Sequence, residues 1–465
     1  MKVGNVSILK RFLSFQKIKP KICIVGGGPA GFYAAQHLAK KLEQSESEID
    51  IYERLPVPFG LVRFGVAPDH PEVKNVINTF SKTAENPCVR FLGNVNLGSD
   101  VSLAHLKNAY HIVLLTYGAE QGRKLDIPGE NKKNVIEARK IVGWYNGIPW
   151  DSNLEIDLSG ETAAIFGQGN VAIDVARVLL TPVDQLKKTD ITQHALEVIS
   201  RSKVKTIHLI GRRGPLQAAF TIKELREMLK LENCRTEWQP KDFEGISDCV
   251  PKLARPKKRI TELMIKSVSE QKNSACDGNT FKPVFHRSPL EILGKTKVEE
   301  VIVGINKLEG DDILNKKSLL TKDRETIKCD LAIPSIGYKS IQADKDIPFN
   351  FDRGVVKNTN GKIETGVYVS GWLGTGPTGV ILTTMSNAFG VADLILHDVQ
   401  AEKLINENKG GHEEIMELLH KNNVQVVTWK DWQKIDKYEE EEGRKVGKPR
   451  EKIVSIEKML QIAAT

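Results

Sequence analysis

Two short glycine clusters carry the clearest chemistry in this chain. Gly26-Gly27-Gly28-Pro29-Ala30-Gly31 directly follows an apolar run, Lys21 to Val25. Its spacing is G-x-G-x-x-G. Gly26 permits a tight turn, Gly28 admits a pyrophosphate close to the backbone, and Gly31 lets helix and strand pack closely. An anion then rests on the free N–H groups of a helix N-terminus. Glu53 ends the next apolar run, 22 residues beyond Gly31. A carboxylate there accepts from a ribose 2′-hydroxyl and repels a 2′-phosphate, so this turn is expected to hold FAD or NAD. The second cluster is Gly167-Gln168-Gly169-Asn170-Val171-Ala172, with alanine in the last position. The run after it ends in Arg212-Arg213. Two guanidiniums at the ribose-reading position suit a 2′-phosphate through bidentate, charge-assisted hydrogen bonds, and so NADPH. The plainer readings are a structural glycine turn and a solvated charge pair. Two dinucleotide sites of opposite 2′-preference point to hydride transfer from NADPH to a flavin, with electrons passed onward.

Three further segments belong with these. Gly371-Trp372-Leu373-Gly374-Thr375-Gly376-Pro377-Thr378-Gly379-Val380-Ile381 repeats the strand, glycine loop and helix start late in the chain. A helix N-terminus there would stabilise negative charge on a reduced flavin. Trp372 would pack on a ring system or sit in the core. Pro58 to Pro71 is too apolar and too rich in Gly and Pro for an exposed linker, and is expected to wrap a cofactor. Within it, His70 reads equally as a proton-handling group and as a structural imidazole. Lys252, Arg255, Lys257, Lys258 and Arg259 place five bases within eight residues. Such a cluster is a solvated face or a dock for an acidic protein; without aromatic interleaving it is a poor match to nucleic acid.

The elements needed to position these groups form a βαβ rhythm. Strands are expected at Lys21–Val25, Ile49–Glu53, 111–116, Thr162–Phe166, Thr206–Ile210, 301–308, 330–335 and 367–371. Helices are expected at about 31–44, 171–180, 222–231 and 380–397. The stretch 241–297 reads as loops plus one helix near 261–269. The fold class is α/β: two dinucleotide-binding, Rossmann-like domains, the NADPH domain inserted into a discontinuous FAD domain.

Composition narrows the rest. The chain has 465 residues and a formal charge of +8. Residues 1–20 hold five bases and no acids, leaving about +3 for the body, so bulk charge makes no case for nucleic acid. That basic segment, with Ser7, Ser14 and an apolar face from Ile8 to Phe15, reads as a mitochondrial presequence or as a frayed terminus. No apolar run approaches the roughly 18 residues of a bilayer span. The six cysteines are scattered, with no C-x-x-C, and the histidines form no metal-ligand spacing. Neither a disulfide framework nor a resident metal is expected. Without a redox dithiol, electrons must leave a flavin directly, and a one-electron iron–sulfur carrier is a natural acceptor.

These segments together closely resemble the adrenodoxin reductase family, the mitochondrial-type NADPH:ferredoxin oxidoreductases. The resemblance runs through Gly26–His37, Pro58–Val76, Gly167–Leu180, Gly211–Met228 and Gly371–Thr384. The tail Val424–Leu460 resembles the longer C-terminus of some members. The resemblance implies an FAD domain over 21–121 and 339–465 and an NADPH domain over 122–338. It implies that Ala30, Glu53, Leu61, Leu97, Trp372 and Gly379–Ile381 contact FAD. Gln168, Gly169, Asn170, Val171, Arg212, Arg213 and Glu224 contact NADPH, with Gly379 near the nicotinamide. His70 and Asp174 match a polar pair near the flavin, and Arg255 and Arg259, with Lys257 and Lys258 between them, match the basic dock of an acidic [2Fe–2S] ferredoxin. The implied protein is a monomeric matrix enzyme, with peripheral contact to the inner membrane, serving P450 steroid hydroxylation or iron–sulfur assembly. Two rivals are an NADPH-dependent flavin oxidase or quinone reductase, and a non-enzymatic NADPH- and FAD-binding redox sensor.

Overall fold

A computed structural model describes residues 19–42, 47–271, 278–379, 381–401, 404 and 408–465. The basic N-terminal segment up to residue 18, Cys276 and Val380 lie outside the described residues.

Lys21–Val25 is apolar on both faces and becomes the centre of a seven-stranded sheet. Its neighbours are Glu48–Glu53 and Ile112–Leu115, both parallel to it. Val89–Gly93 extends the sheet on one side and Val367–Val369 on the other, again in parallel. The edges are antiparallel: Lys362–Glu364 on one and Val427–Thr428, from the C-terminal region, on the other. Strands buried on both faces need helices above and below. Pro29–Lys41 supplies one, through Phe32, Ala34, Ala35 and Leu38, and Ile381–Gln400 packs alongside it. Each fully buried Phe or Leu contributes about 1.5–3 kcal/mol.

After Leu115 the chain leaves this sheet. Gln121–Gly122 pairs antiparallel with Tyr338–Lys339, so the outgoing and returning strands are tied together. Between them lies a second sheet of five parallel strands, in the order Leu331–Pro334, Thr162–Phe166, Thr206–Ile210, Asn279–Val284, Cys234–Thr236. Helices Ala138–Asn146, Asn170–Leu180 and Ile222–Leu229 share its apolar core. A separate antiparallel sheet, Arg287–Leu293, Glu300–Glu309 and Lys317–Lys328, packs beside it. One doubly wound unit is therefore inserted into another.

The sequence reading misses several features here. The helix starts at Arg255, not near 261, because its first turn is almost wholly basic and only Ile260, Thr261 and Met264 are buried. Asn279–Val284 is a strand despite Pro283. The Phe281 carbonyl accepts from Glu237 N on the side of Cys234–Thr236, so the missing Pro283 N–H faces the place where that pairing ends. Lys317–Lys328 is an exposed edge strand whose lack of alternation hides it. The tail is also structured: Trp429–Lys445 is a helix, capped by Thr428, whose side chain accepts from Asp431 N.

Candidate active site

Each glycine cluster sits where a strand hands over to a helix. Gly26 has φ +116°, and a Cβ there would lie 2.7 Å from the backbone of Thr116 and Tyr117. A Cβ on Gly31 would lie 2.1 Å from the Gly26 carbonyl. These two are needed by the fold. Gly28 differs: a Cβ there would meet nothing nearer than Gly60 Cα at 3.9 Å. It caps the helix that opens with Pro29, where free N–H groups and the helix dipole favour an anion. The second cluster repeats this division. Gly167 has φ +135° and no room, with Ser335 O at 2.1 Å, whereas a Cβ on Gly169 would have nothing within 4 Å. In both turns the first glycine serves the chain, and the one that caps the helix keeps the approach clear.

The ribose-reading positions also differ as expected. Glu53 Oε2 accepts from Gly27 N at 2.8 Å and Oε1 from Leu55 N at 3.0 Å. Each carboxylate oxygen has a further lone pair for a hydroxyl. Burial pushes this carboxyl up against those hydrogen bonds. Beside it Arg54 is held by Glu120 at 2.6 Å and lies over Trp150 at 4.3 Å. They line a cavity of about 940 Å³ at the junction of the two units, shared with Gly122, Arg139 and Lys339. In the second unit, neither the Arg212 nor the Arg213 guanidinium makes a hydrogen bond or ion pair among the described residues; only their backbone carbonyls are engaged, by Asn306, Ser318 and His286 N.

Around the second turn, Gln168 folds its amide back to Val284 O at 3.3 Å, over Gly211, leaving its backbone toward the turn. Asn170 Oδ1 accepts from Thr221 N at 2.8 Å, which also seats the helix carrying Glu224. Val171 packs against the second core.

The late glycine loop reaches the first turn. A Cβ on Gly371 would lie 2.7 Å from Ala30 Cβ, and Asn387 Oδ1 holds Gly371 N at 2.7 Å. Trp372 stands 6.1 Å from Tyr338, ring to ring. Its indole N–H is buried and has no partner among the described residues, which suits a polar edge of a bound ring system. Gly379 has φ +81° just before the helix from Ile381. Phe59 N donates to Gly27 O at 2.7 Å, so the Pro58–Pro71 segment lies on the first turn, with Leu61 partly exposed there. Leu97 is buried among Val25, Val95 and Val101. Open backbone at Gly28 and Gly169, a carboxylate at one ribose position, two uncommitted guanidiniums at the other and an orphaned indole donor together fit FAD at the first turn and NADPH at the second.

His70 and Asp174 lie in one cluster of charged side chains. They do not bond to each other. His70 Nε2 lies 2.6 Å from Glu227 and 4.0 Å from Glu224. Asp174 bonds Arg177 at 2.8 Å. Arg177 joins them: it binds Asp69 at 2.6 Å and Glu224 at 3.3 Å. Burial drives the Asp174 carboxyl up to about 8 against the pull of Arg177, with Glu224 adding to the rise. Asp69, despite its burial, is held below its usual range by Arg177. His70, Glu224 and Glu227 bring three ligand atoms within 4.8 Å. Arg177, 3.3 Å from Glu224 and 3.9 Å from Glu227, already balances those carboxylates. Sequence reasoning missed Asp69, Arg177 and Glu227; the only local signal was the i, i+3 spacing of Asp174 and Arg177.

The basic cluster divides. Arg255 and Arg259 are exposed on the first turns of their helix, and Lys258 is partly so. Lys257 turns inward instead. Its Nζ donates to Ala218 O at 2.8 Å, and burial together with Arg213 lowers its affinity for a proton. Ala219, next along, donates to Gln168 O, so Lys257 belongs to the rim of the second turn.

Two joined nucleotide-binding units of opposite ribose preference, meeting at a carboxyl, guanidinium and imidazole cluster, define a dinucleotide-dependent oxidoreductase. The family model for an NAD(P)-binding Rossmann-like domain matches residues 24–92. Over 453 residues the chain is 52% identical to NADPH:adrenodoxin oxidoreductase, mitochondrial, of Drosophila melanogaster, covering 95% of this chain and 93% of that one. It is 47% identical to the Homo sapiens protein of the same name, covering 99% and 95%. Among solved structures, Mycobacterium tuberculosis FprA in complex with NADPH superposes with a TM-score of 0.91 at 36% identity, covering 96% of this chain and all of that one. The chain belongs to the NADPH:adrenodoxin oxidoreductase family.

Proposed function

We propose that this chain is a mitochondrial flavoenzyme that takes electrons from NADPH through FAD to an adrenodoxin-type [2Fe–2S] ferredoxin. One observation carries the reading: two helix-capping glycines with open approaches, Gly28 and Gly169, are followed at their ribose positions by Glu53 and by Arg212-Arg213. Bound FAD supplies the chemistry that the chain lacks, accepting a hydride from NADPH and releasing electrons singly.

The chain's own part is placement and charge. In this reading, Gly26, Gly28, Ala30, Gly31, Glu53, Leu61, Leu97, Trp372, Gly379, Val380 and Ile381 hold FAD. Gln168 to Val171, Arg212, Arg213 and Glu224 hold NADPH, and Gly379 lies by the nicotinamide. Asp174 holds a proton near neutral pH, and His70 Nε2 lies against Glu227 at 2.6 Å. The antiparallel pair Gln121–Gly122 and Tyr338–Lys339 supports domain boundaries at 122 and 338. Arg255, Lys258 and Arg259 receive the acidic ferredoxin, whereas the inward Lys257 serves the NADPH rim. Cys23, Cys88, Cys234, Cys249 and Cys329 are free, and burial pushes the Cys23, Cys88, Cys234 and Cys329 thiols up, so these four are poor electron-carrying thiols. Among the described residues no helix is long and apolar enough to cross a membrane. We place the enzyme in the matrix as a monomer, with peripheral contact to the inner membrane.

The test is stopped-flow absorbance of the FAD-loaded protein mixed with NADPH, then with oxidised [2Fe–2S] ferredoxin. Fast flavin bleaching followed by ferredoxin reduction is expected. Bleaching with no transfer to ferredoxin would instead indicate an oxidase or quinone reductase. No bleaching would leave a redox sensor.

A further inference from the structure

One cluster of buried charge takes no part in the reading above. Residues 446–453 follow the helix Trp429–Lys445 and run onto the inserted unit. Lys452 Nζ lies 2.9 Å from the Asp190 carboxylate, 3.1 Å from its carbonyl and 3.5 Å from Asn146 Oδ1. Lys448 Nζ donates to Ile191 O at 2.9 Å, and Gln193 N donates to Glu451 at 2.8 Å. Both lysine side chains are only 1% exposed. Asp190 has another partner: Lys74, at 2.6 and 2.7 Å to its two oxygens. Lys74 ends the short helix Pro71–Lys74, which continues the Pro58–Pro71 segment that lies on the first glycine turn. The same segment is gripped a second time, where Arg63 Nη2 bonds Glu439 Oε1, which also accepts from Ile453 N at 2.9 Å.

We propose that Lys452, meeting Lys74 on the Asp190 carboxylate, is a positioning residue that sets how the NADPH-binding unit seats against the flavin-side loop. The proposal rests on the oxidoreductase reading. Three distant parts of the chain converge on one carboxylate: the C-terminal segment, the cofactor loop and the inserted unit. Two lysine amines on one buried carboxylate are a poor source of stability, because desolvation, which lowers both amines' hold on a proton, consumes most of the attraction. They do fix registry. If the faces part slightly, Lys452 loses its partners before water can reach it, so intermediate seatings are disfavoured. The seam holds either one arrangement or an open one. Hydride transfer depends on such definition, since a misplacement of about 1 Å can cost on the order of 100-fold in rate. Lys452 touches neither turn and acts only through this seating.

The test uses the FAD-loaded Lys452→Met variant, which keeps most of the side chain's bulk and removes its charge. At saturating NADPH the bleaching rate constant should fall about tenfold to 100-fold, while the NADPH concentration for half-saturation moves less than about threefold. FAD content should be unchanged. Hydrogen exchange at the Gln193 amide, which reads the seam directly, should speed up at least about tenfold. Lys452→Arg should recover part of the rate. Normal bleaching with fast Gln193 exchange would overturn the proposal, for the seam would then be glue only. If Lys452→Met does not retain FAD, Lys74→Met takes its place, since it leaves Asp190 paired with Lys452, and the same results are expected. Loss of FAD in both would also overturn it. A wild-type protein that NADPH does not bleach would overturn the underlying reading instead.

Discussion

Gly167 and Gly169 stand two residues apart in one turn, yet alanine at each should fail in opposite ways. At Gly167 the backbone has φ +135°, and the new Cβ would lie 2.1 Å from Ser335 O. Both strain and overlap fall on the fold, with an expected cost of about 1–3 kcal/mol or more. At Gly169 the backbone is extended, φ −99° and ψ 176°, and nothing lies within 4 Å of a Cβ. Alanine there should leave the fold intact, and even stabilise it by about 0.4–1 kcal/mol through a less flexible unfolded chain. The space it fills is the approach to the helix N-terminus. A pyrophosphate held off by a methyl group loses one or two charge-assisted backbone hydrogen bonds, each worth about 1.5–3 kcal/mol. That predicts a rise of about tenfold to 10,000-fold in the NADPH concentration giving half-maximal flavin bleaching. Thermal unfolding and anaerobic stopped flow on the two variants measure both sides. A Gly169→Ala protein with normal melting and normal NADPH dependence would refute the reasoning, since the open approach would then receive no phosphate.

The same logic extends to other groups. Arg212→Ala with Arg213→Ala should raise KM for NADPH by about 100-fold or more and leave KM for NADH nearly unchanged; equal effects on both would remove the 2′-phosphate assignment. Arg255→Glu with Arg259→Glu should cut ferredoxin turnover severalfold while sparing reduction of a small artificial acceptor, whereas Lys257→Met should disturb NADPH use more than ferredoxin use; the reverse pattern would contradict the inward orientation of Lys257. Asp174 is pushed from 3.8 up to about 8 when folded. A raised carboxyl stabilises the fold fully below about pH 4, and that stability is lost as pH rises through 8, by at most about 1.4 kcal/mol per pH unit. Melting curves of Asp174→Asn should therefore lack this decline between pH 5 and 8, and parallel profiles would show that Asp174 keeps no proton.

What the sequence disclosed, and what it hid, follows from the range of the interactions. Strands and helices around Gly26 and Gly167 were legible because turn, helix cap and ribose reader all lie within about 50 residues and obey one local geometry. Glu53 and Arg212-Arg213 could be read from position alone. The strand at Lys317–Lys328 was hidden because an exposed edge needs no alternating pattern. His70 illustrates the limit. Its partner Glu227 stands 157 positions away, and Arg177 reaches 108 positions to Asp69. Spacing carries no trace of such pairs, so the sequence could place His70 and Asp174 in one neighbourhood without finding the guanidinium that joins them. The tail shows this most clearly. In the sequence, Lys448 to Lys452 is only a charged string in a tail that resembles the longer C-terminus of some family members. Only the fold reveals that Lys448 and Lys452 are buried, and that their partners sit more than 250 residues earlier on the inserted unit. Charges that must be paired to be buried act as addresses between distant segments. In this chain those addresses join the two halves that the glycine turns define separately.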